Sequence, residues 1–229
     1  MVLKLHSHPL ASFCWKSLIA LYENGTPFET VMADLGDPDA KARFEALWPT
    51  AKIPLLDDGG RIVPETTIMI EYLDQRYPGK VALLARDPDE ALEARLWDRL
   101  FDLYVMEPMQ RFIGQQLRPA AGRDARTAAE ALAALASAYD LIETKFGARV
   151  WAAGDNFSIA DCAAAPALFY AAIVSPFSPG HTNLARYFER LMVRPSVRRV
   201  IGEARPYFQY FPLHHAIPAR FLSDNADAA

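Results

Sequence analysis

The sequence predicts a chain of two structural classes: strands alternating with helices as far as Tyr77, and helices alone after Pro88. Three observations carry this. Short apolar runs alternate with amphipathic ones in the first part. Pro78-Gly79 and Asp87-Pro88 break the pattern between the parts. Everything later repeats its apolar residues at helical spacing.

Val2 to His6 reads as a short strand, and Phe13 to Asn24 as a helix with Leu18, Ile19, Leu21 and Tyr22 inward. Gly25 stops that helix, since glycine accepts the left-handed conformation of a helix end. Pro27 to Ala33 is a second strand. Pro38 to Leu47 is a short helix opened by Asp37-Pro38. Lys52 to Leu56 and Arg61 to Val63 flank the turn Asp57-Asp58-Gly59-Gly60, and Glu65-Thr66 opens a helix that runs to Tyr77. This βαβ-α-ββα order is that of the thioredoxin-like fold, with a right-handed crossover expected for the parallel pair.

In the second part, Asp89 to Gln116 is one long amphipathic segment, which Pro108 should kink or break. Ala125 to Phe146 is alanine-rich and helical. Ser158 to Val174 and Leu184 to Val193 follow as helices, and Pro195 opens a last one. Ser158-Ile159-Ala160-Asp161 is a capping box, so Asp161 has a structural part. The expected division is a thioredoxin-like domain over 1–78, a linker over 79–88, an all-α helical bundle over 89–222 and a disordered tail over 223–229.

Composition excludes several function classes. The net charge of −4 has no basic run to set against it, so nucleic acid and anionic membrane surfaces are not expected partners. No apolar run approaches the ~20 residues of a membrane span. Cys14 and Cys162 lie far apart in helical contexts, which fits free thiols in a reducing cytosol. The five histidines lack ligand spacing, so no metal is expected.

The stretch from Lys52 to Tyr77 points to a ligand. Pro54 early in its strand implies an edge, a bulge or a cis bond, any of which exposes backbone for pairing. Glu65-Thr66 sets a carboxylate and a hydroxyl beside the free N–H groups of a helix start. Such a corner holds both ends of a small zwitterionic peptide.

This stretch resembles the glutathione-binding half of glutathione transferases, which pair a cis-proline before the third strand with an acidic-hydroxyl dipeptide opening the third helix. The capped helix at Ser158 resembles the core helix of that family's helical domain, and the resemblance runs from Leu3 to about Pro212. It implies that Ile53 offers its backbone to the cysteinyl part of glutathione, with Pro54 shaping the bend. Glu65 takes the γ-glutamyl ammonium, Thr66 its carboxylate, and Lys52 the glycyl carboxylate. One departure stands out: Trp48-Pro49 occupies a place where many relatives carry asparagine.

In that family the reactive group lies between the first strand and first helix, here His6 to Lys16. Glutathione reacts as thiolate, and a hydroxyl donor with a helix dipole favours the anion. Ser12 fits the hydroxyl role and also that of helix N-cap. Cys14 competes with it, by analogy with relatives that form a mixed disulfide, and Ser7 or the backbone and helix dipole alone are the further alternatives. The electrophile's wall is expected from Tyr104, Met109 and Phe112, with Pro108 and Ile113 beside them. Phe169, Tyr170 and the stretch Tyr207 to Phe211 either cover the site or pack the C-terminus.

These residues lead us to expect a cytosolic, homodimeric glutathione transferase that passes glutathione to a small electrophile. Two alternatives stay open. One is a zeta-like cis–trans isomerase, a class that carries a serine-serine-cysteine run where this chain has Ser12-Phe13-Cys14. The other is a glutathione-binding protein without turnover.

Overall fold

The computed structural model describes residues 2–147 and 149–223. The expected tail falls outside that range from residue 224 on. Four strands form one mixed sheet: β1 (Leu3–Ser7), β2 (Phe28–Met32), β3 (Leu55–Asp58) and β4 (Arg61–Val63), in the order β2-β1-β3-β4. The β1–β2 pair is parallel, and the other two pairs are antiparallel. Leu5 pairs with Thr30 on one side and Leu56 on the other. Leu3, Leu5 and Ser7 are buried in alternation, which puts one face of β1 against the helices.

Helices α1 (Ser12–Asn24), α2 (Pro38–Leu47) and α3 (Thr66–Arg76) complete this region. Gly25 closes α1 at φ 69°, and its N–H reaches the carbonyls of Leu21 and Tyr22. Asp37 caps α2 by accepting from the Ala40 amide. Pro54 stands just outside the ladder rather than early in the strand. β3 is an interior strand, flanked by β1 and β4, and proline has no N–H to give it.

No helix or strand lies between Arg76 and Pro88. The following helices are α4 (Pro88–Leu100), α5 (Glu107–Leu117), α6 (Ala125–Phe146), α7 (Ile159–Val174), α8 (Thr182–Met192) and α9 (Pro195–Ala204). The long segment expected from Asp89 is continuous but interrupted by a π-helical stretch at Phe101–Met106. Pro108 accounts for the disturbance: its missing N–H leaves the Tyr104 carbonyl without its usual partner, and the ring would crowd it.

The core is continuous between the two regions. Trp15 of α1 is fully buried, with its ring 4.9 Å from Phe169 and 5.0 Å from Tyr170 of α7. The capping box at Ser158 forms as its sequence implies. Asp161 accepts from the Ser158 amide, the Ala152 amide (both 2.9 Å) and the Tyr187 hydroxyl (2.6 Å). Those bonds satisfy a fully buried carboxyl, a structural task. Among the described residues, no helix is long and apolar enough to cross a membrane.

Candidate active site

Two adjoining cavities lie where the sheet region meets the helices. The first, about 510 Å³, runs from Lys52, Ile53 and Pro54 past Glu65, Thr66 and Thr67 to Arg99 and Asp102. The second, about 330 Å³, is lined by Ser12, Met109, Ile113, Tyr170, Tyr210 and Phe211. Gln110 stands on the wall of both.

The first cavity is built on backbone. The Ile53–Pro54 peptide bond is cis. Glu65 precedes α3 at φ 64° and ψ 118°, a conformation that a residue with a side chain rarely holds. No side chain caps α3, so its first amides, at the positive end of the helix dipole, are available to an anion. Thr66 is buried there, and the Glu65 side chain is exposed to the cavity. Trp48 forms part of the wall. All five residues expected to bind glutathione therefore share one cavity.

Beneath it lies a cluster that sequence reasoning missed. Lys16 of α1 is fully buried. Its Nζ sits 2.6 Å from Asp98 Oδ1 and 2.8 Å from Asp102 Oδ2, and donates to Thr67 Oγ1 at 3.0 Å. Thr67 in turn donates to Asp98 Oδ2 at 2.7 Å. Arg99 reaches Asp102 from the solvent side at 3.2 Å. Burial pushes the Asp102 carboxyl above its ordinary range and neighbouring Asp98 adds to this, while Lys16 and Arg99 oppose it. Asp102 Oδ1 is buried without a hydrogen-bond partner.

Ser12 is the first residue of α1, and Ala11 occupies the N-cap. Ser12 therefore does not cap its helix; its hydroxyl instead accepts from Gln110 Nε2 at 3.0 Å. The loop before it is tied down twice. Trp15 Nε1 donates to the Pro9 carbonyl (2.6 Å), and the Tyr170 hydroxyl donates to the Leu10 carbonyl (3.0 Å).

Cys14 lies on the other side of α1. It is fully buried, and burial pushes its thiol up to about 12, against a backbone hydrogen bond at His8. A thiol so placed holds its proton at neutral pH and lines neither cavity. His8 accepts from the Leu10 amide at 3.2 Å, and burial lowers its pKa.

The expected electrophile wall divides. Met109 lines the second cavity, along with Ile113 and Tyr170. Tyr104 is 59% exposed, and neither it nor Phe112 lines either cavity. The π-helical stretch bears on Tyr104, which lies within it, and not on Phe112, which shares α5 with Met109. A π turn carries an extra residue, which turns the helix beyond it by roughly 100°. Positions spaced as one α-helical stripe on either side of it therefore point different ways. Among the described residues, no group of three His, Cys, Asp or Glu side chains is arranged to hold a metal.

Comparison with known proteins fits this geometry. Residues 5–81 match the family model "Glutathione S-transferase, N-terminal domain", and residues 100–195 match "Glutathione S-transferase, C-terminal domain". The chain is 31% identical to glutathione S-transferase-like protein LUC7 of Fusarium sp over 163 residues, covering 69% of this chain and 72% of that one. It is 27% identical over 169 residues to a probable maleylacetoacetate isomerase of Caenorhabditis elegans, covering 73% and 78%. A crystal structure of a glutathione S-transferase from Methylobacterium radiotolerans, in complex with glutathione sulfonate, superposes with a TM-score of 0.76. It is 30% identical, over 87% of this chain and 94% of that one.

Proposed function

Because the chain belongs to the glutathione transferase family, we propose that it binds glutathione in the larger cavity, holds its sulfur as thiolate beside Ser12, and transfers it to an electrophile in the smaller one. The observation that carries this reading is the meeting of the two cavities at the Ser12–Gln110 hydrogen bond. One cavity offers a free helix start for a carboxylate and Glu65 for an ammonium. The other is walled by methionine, isoleucine and aromatic rings, which suit a flat apolar partner. Ile53 pairs with the cysteinyl backbone, Thr66 holds the γ-glutamyl carboxylate, and Lys52 meets the glycyl end.

Ser12, rather than Cys14, donates to the sulfur. Its hydroxyl borders the reacting space, while the Cys14 thiol is sealed in the core. The glutathione thiol gives its proton to solvent, and the thiolate attacks the electrophilic carbon. A leaving group departs with its electron pair, or an adjacent carbon takes up a proton when the attack is an addition. Two unpaired thiols fit a reducing cytosol. Leu92, Leu96, Leu103 and Tyr104, all exposed along α4 and the π stretch, support pairing of two copies.

The likeness to a probable maleylacetoacetate isomerase favours one second reading, in which glutathione adds to a double bond, lets it rotate and leaves. Turnover of an aryl halide against turnover of a cis-enedione separates the two. The pH–rate profiles of Ser12→Ala and Cys14→Ala test the shared core. Loss of neutral-pH turnover in Ser12→Ala with glutathione affinity kept supports the reading. Loss in Cys14→Ala alone, or a trapped Cys14–glutathione disulfide, overturns it.

A further inference from the structure

We propose that Gln110 is a positioning residue for the thiolate, acting through Ser12; the proposal rests on the reading of Ser12 as the sulfur's hydroxyl donor. A serine hydroxyl has one proton to give and lone pairs to receive. Among the described residues, the side-chain partner of the Ser12 hydroxyl is Gln110, and the bond runs from the amide nitrogen into Oγ. The serine's own proton is left over, and Ser12 is buried except where it borders the smaller cavity. A serine in the first turn of a helix often spends its hydroxyl on local backbone. Here the amide from α5 fills a lone pair and fixes the hydroxyl from the opposite side. Bonds in such a chain polarise one another, so a hydroxyl that accepts from an amide donates more strongly in turn.

The fold delivers Gln110 to this point by a specific route. Ser12 and Gln110 are 98 residues apart and lie in different regions. The π stretch at Phe101–Met106 turns α5 relative to α4, and Met106 and Met109 are buried and hold that orientation. Gln110 then falls on the cavity face with Ile113, Gly114 and Leu117. A neutral amide suits the place. A carboxylate there would accept the serine's proton instead of supplying one, and a cation would compete for the thiolate itself.

Gln110→Met keeps the length of the side chain and removes the donor. The ionisation of bound glutathione is followed by its ultraviolet thiolate absorbance as pH is varied, in the parent, Gln110→Met, Ser12→Ala and the double variant. Affinity by calorimetry and thermal melts accompany each. Gln110→Met should raise the pKa of the bound thiol by on the order of half a unit, an approximately threefold loss of thiolate below the pKa. Ser12→Ala should raise it further, and the double variant should match Ser12→Ala. Gln110→Asn, with the same amide on a shorter arm, should behave like Gln110→Met. A shift in Ser12→Ala with none in Gln110→Met or Gln110→Asn overturns the role of Gln110 and leaves Ser12 in place. No shift in Ser12→Ala overturns the underlying reading. A Gln110→Met effect that persists without the serine shows direct action and also overturns the relay.

Discussion

Lys16 and Asp98 form an ion pair at 2.6 Å with neither side chain reaching solvent, and the two residues come from opposite sides of the junction between sheet and helical regions. Asp102 and Thr67 complete the cluster. One lysine thus answers two buried carboxylates, helped by the half-exposed Arg99 at Asp102 and the Thr67 hydroxyl at Asp98.

Lys16→Met should therefore be costly. A buried pair broken on one side typically loses about 3–5 kcal/mol, because the remaining charge keeps its desolvation cost. The loss should also depend on pH in a definite sense. Burial raises the Asp102 carboxyl, and removing Lys16 takes away a group that opposes the rise. A carboxyl raised in the folded state contributes stability below its unfolded pKa and loses it as pH climbs through the folded one. The deficit of Lys16→Met should be largest at neutral pH and shrink on acidification. Denaturant titrations of parent and variant at several pH values check this; a deficit constant across pH would contradict it.

Glu65→Ala should separate binding from folding. Alanine inherits the same positive φ, so the backbone strain is unchanged and the melting temperature should hold. The proposed bond to the ammonium would be lost, on the order of 1.5–3 kcal/mol, or at least tenfold in Kd. Calorimetry with glutathione reads it. Unchanged affinity would remove the ligand from this corner.

Cys14 and Cys162 should resist alkylation in the native protein. Both are fully buried, and burial raises both thiols, Cys14 to about 12. Since the raised thiols stay protonated, labelling should remain slow through neutral and mildly alkaline pH and become fast on adding denaturant. Rapid native labelling at Cys14, read by mass spectrometry, would show an accessible thiolate.

Two glycines should respond oppositely to alanine. A Cβ on Gly79 would lie 2.1 Å from the Asn24 carbonyl oxygen, so Gly79→Ala should lose about 1–3 kcal/mol. A Cβ on Gly202, within α9, meets nothing within 4 Å. Gly202→Ala should gain roughly 0.5–1 kcal/mol from helix propensity. Thermal melts of the two variants against the parent give the signs.

Much of the fold was legible because local rules decide it. Gly25, Asp37-Pro38 and the Ser158–Asp161 box each fix a helix end within a few residues. What stayed hidden depends on distant partners. The helix expected from Leu184 starts at Thr182, because Glu143 of α6 accepts from the Asn183 and Leu184 amides at 3.1 and 2.9 Å. Lys16 carries no signal of its own in the sequence, because the carboxylates that close over it, Asp98 and Asp102, are more than 80 residues away. The polar corner at Lys52, Ile53, Glu65 and Thr66 was visible because one short stretch supplies all of it. Gln110 was not, since its importance depends on a helix turned by a π stretch. Tyr104 lies within that stretch and lines neither cavity.

The anchoring of the loop before Ser12 bears on modularity. Its Leu10 carbonyl is held by a tyrosine of α7, and the next residues inward, Trp15 and Lys16, are sealed by aromatic rings and carboxylates from beyond residue 97. The first 78 residues carry their own sheet but borrow the walls of their reactive corner. Excised, they would put an indole and a charged amine into water and free the loop from one of its two ties. The chain is thus divisible on paper into two modules, yet the reactive corner proposed for it has no autonomous half. Exchange of either module with that of a relative would need matching residues at Lys16 and Trp15 on one side, and at Asp98, Asp102 and Tyr170 on the other.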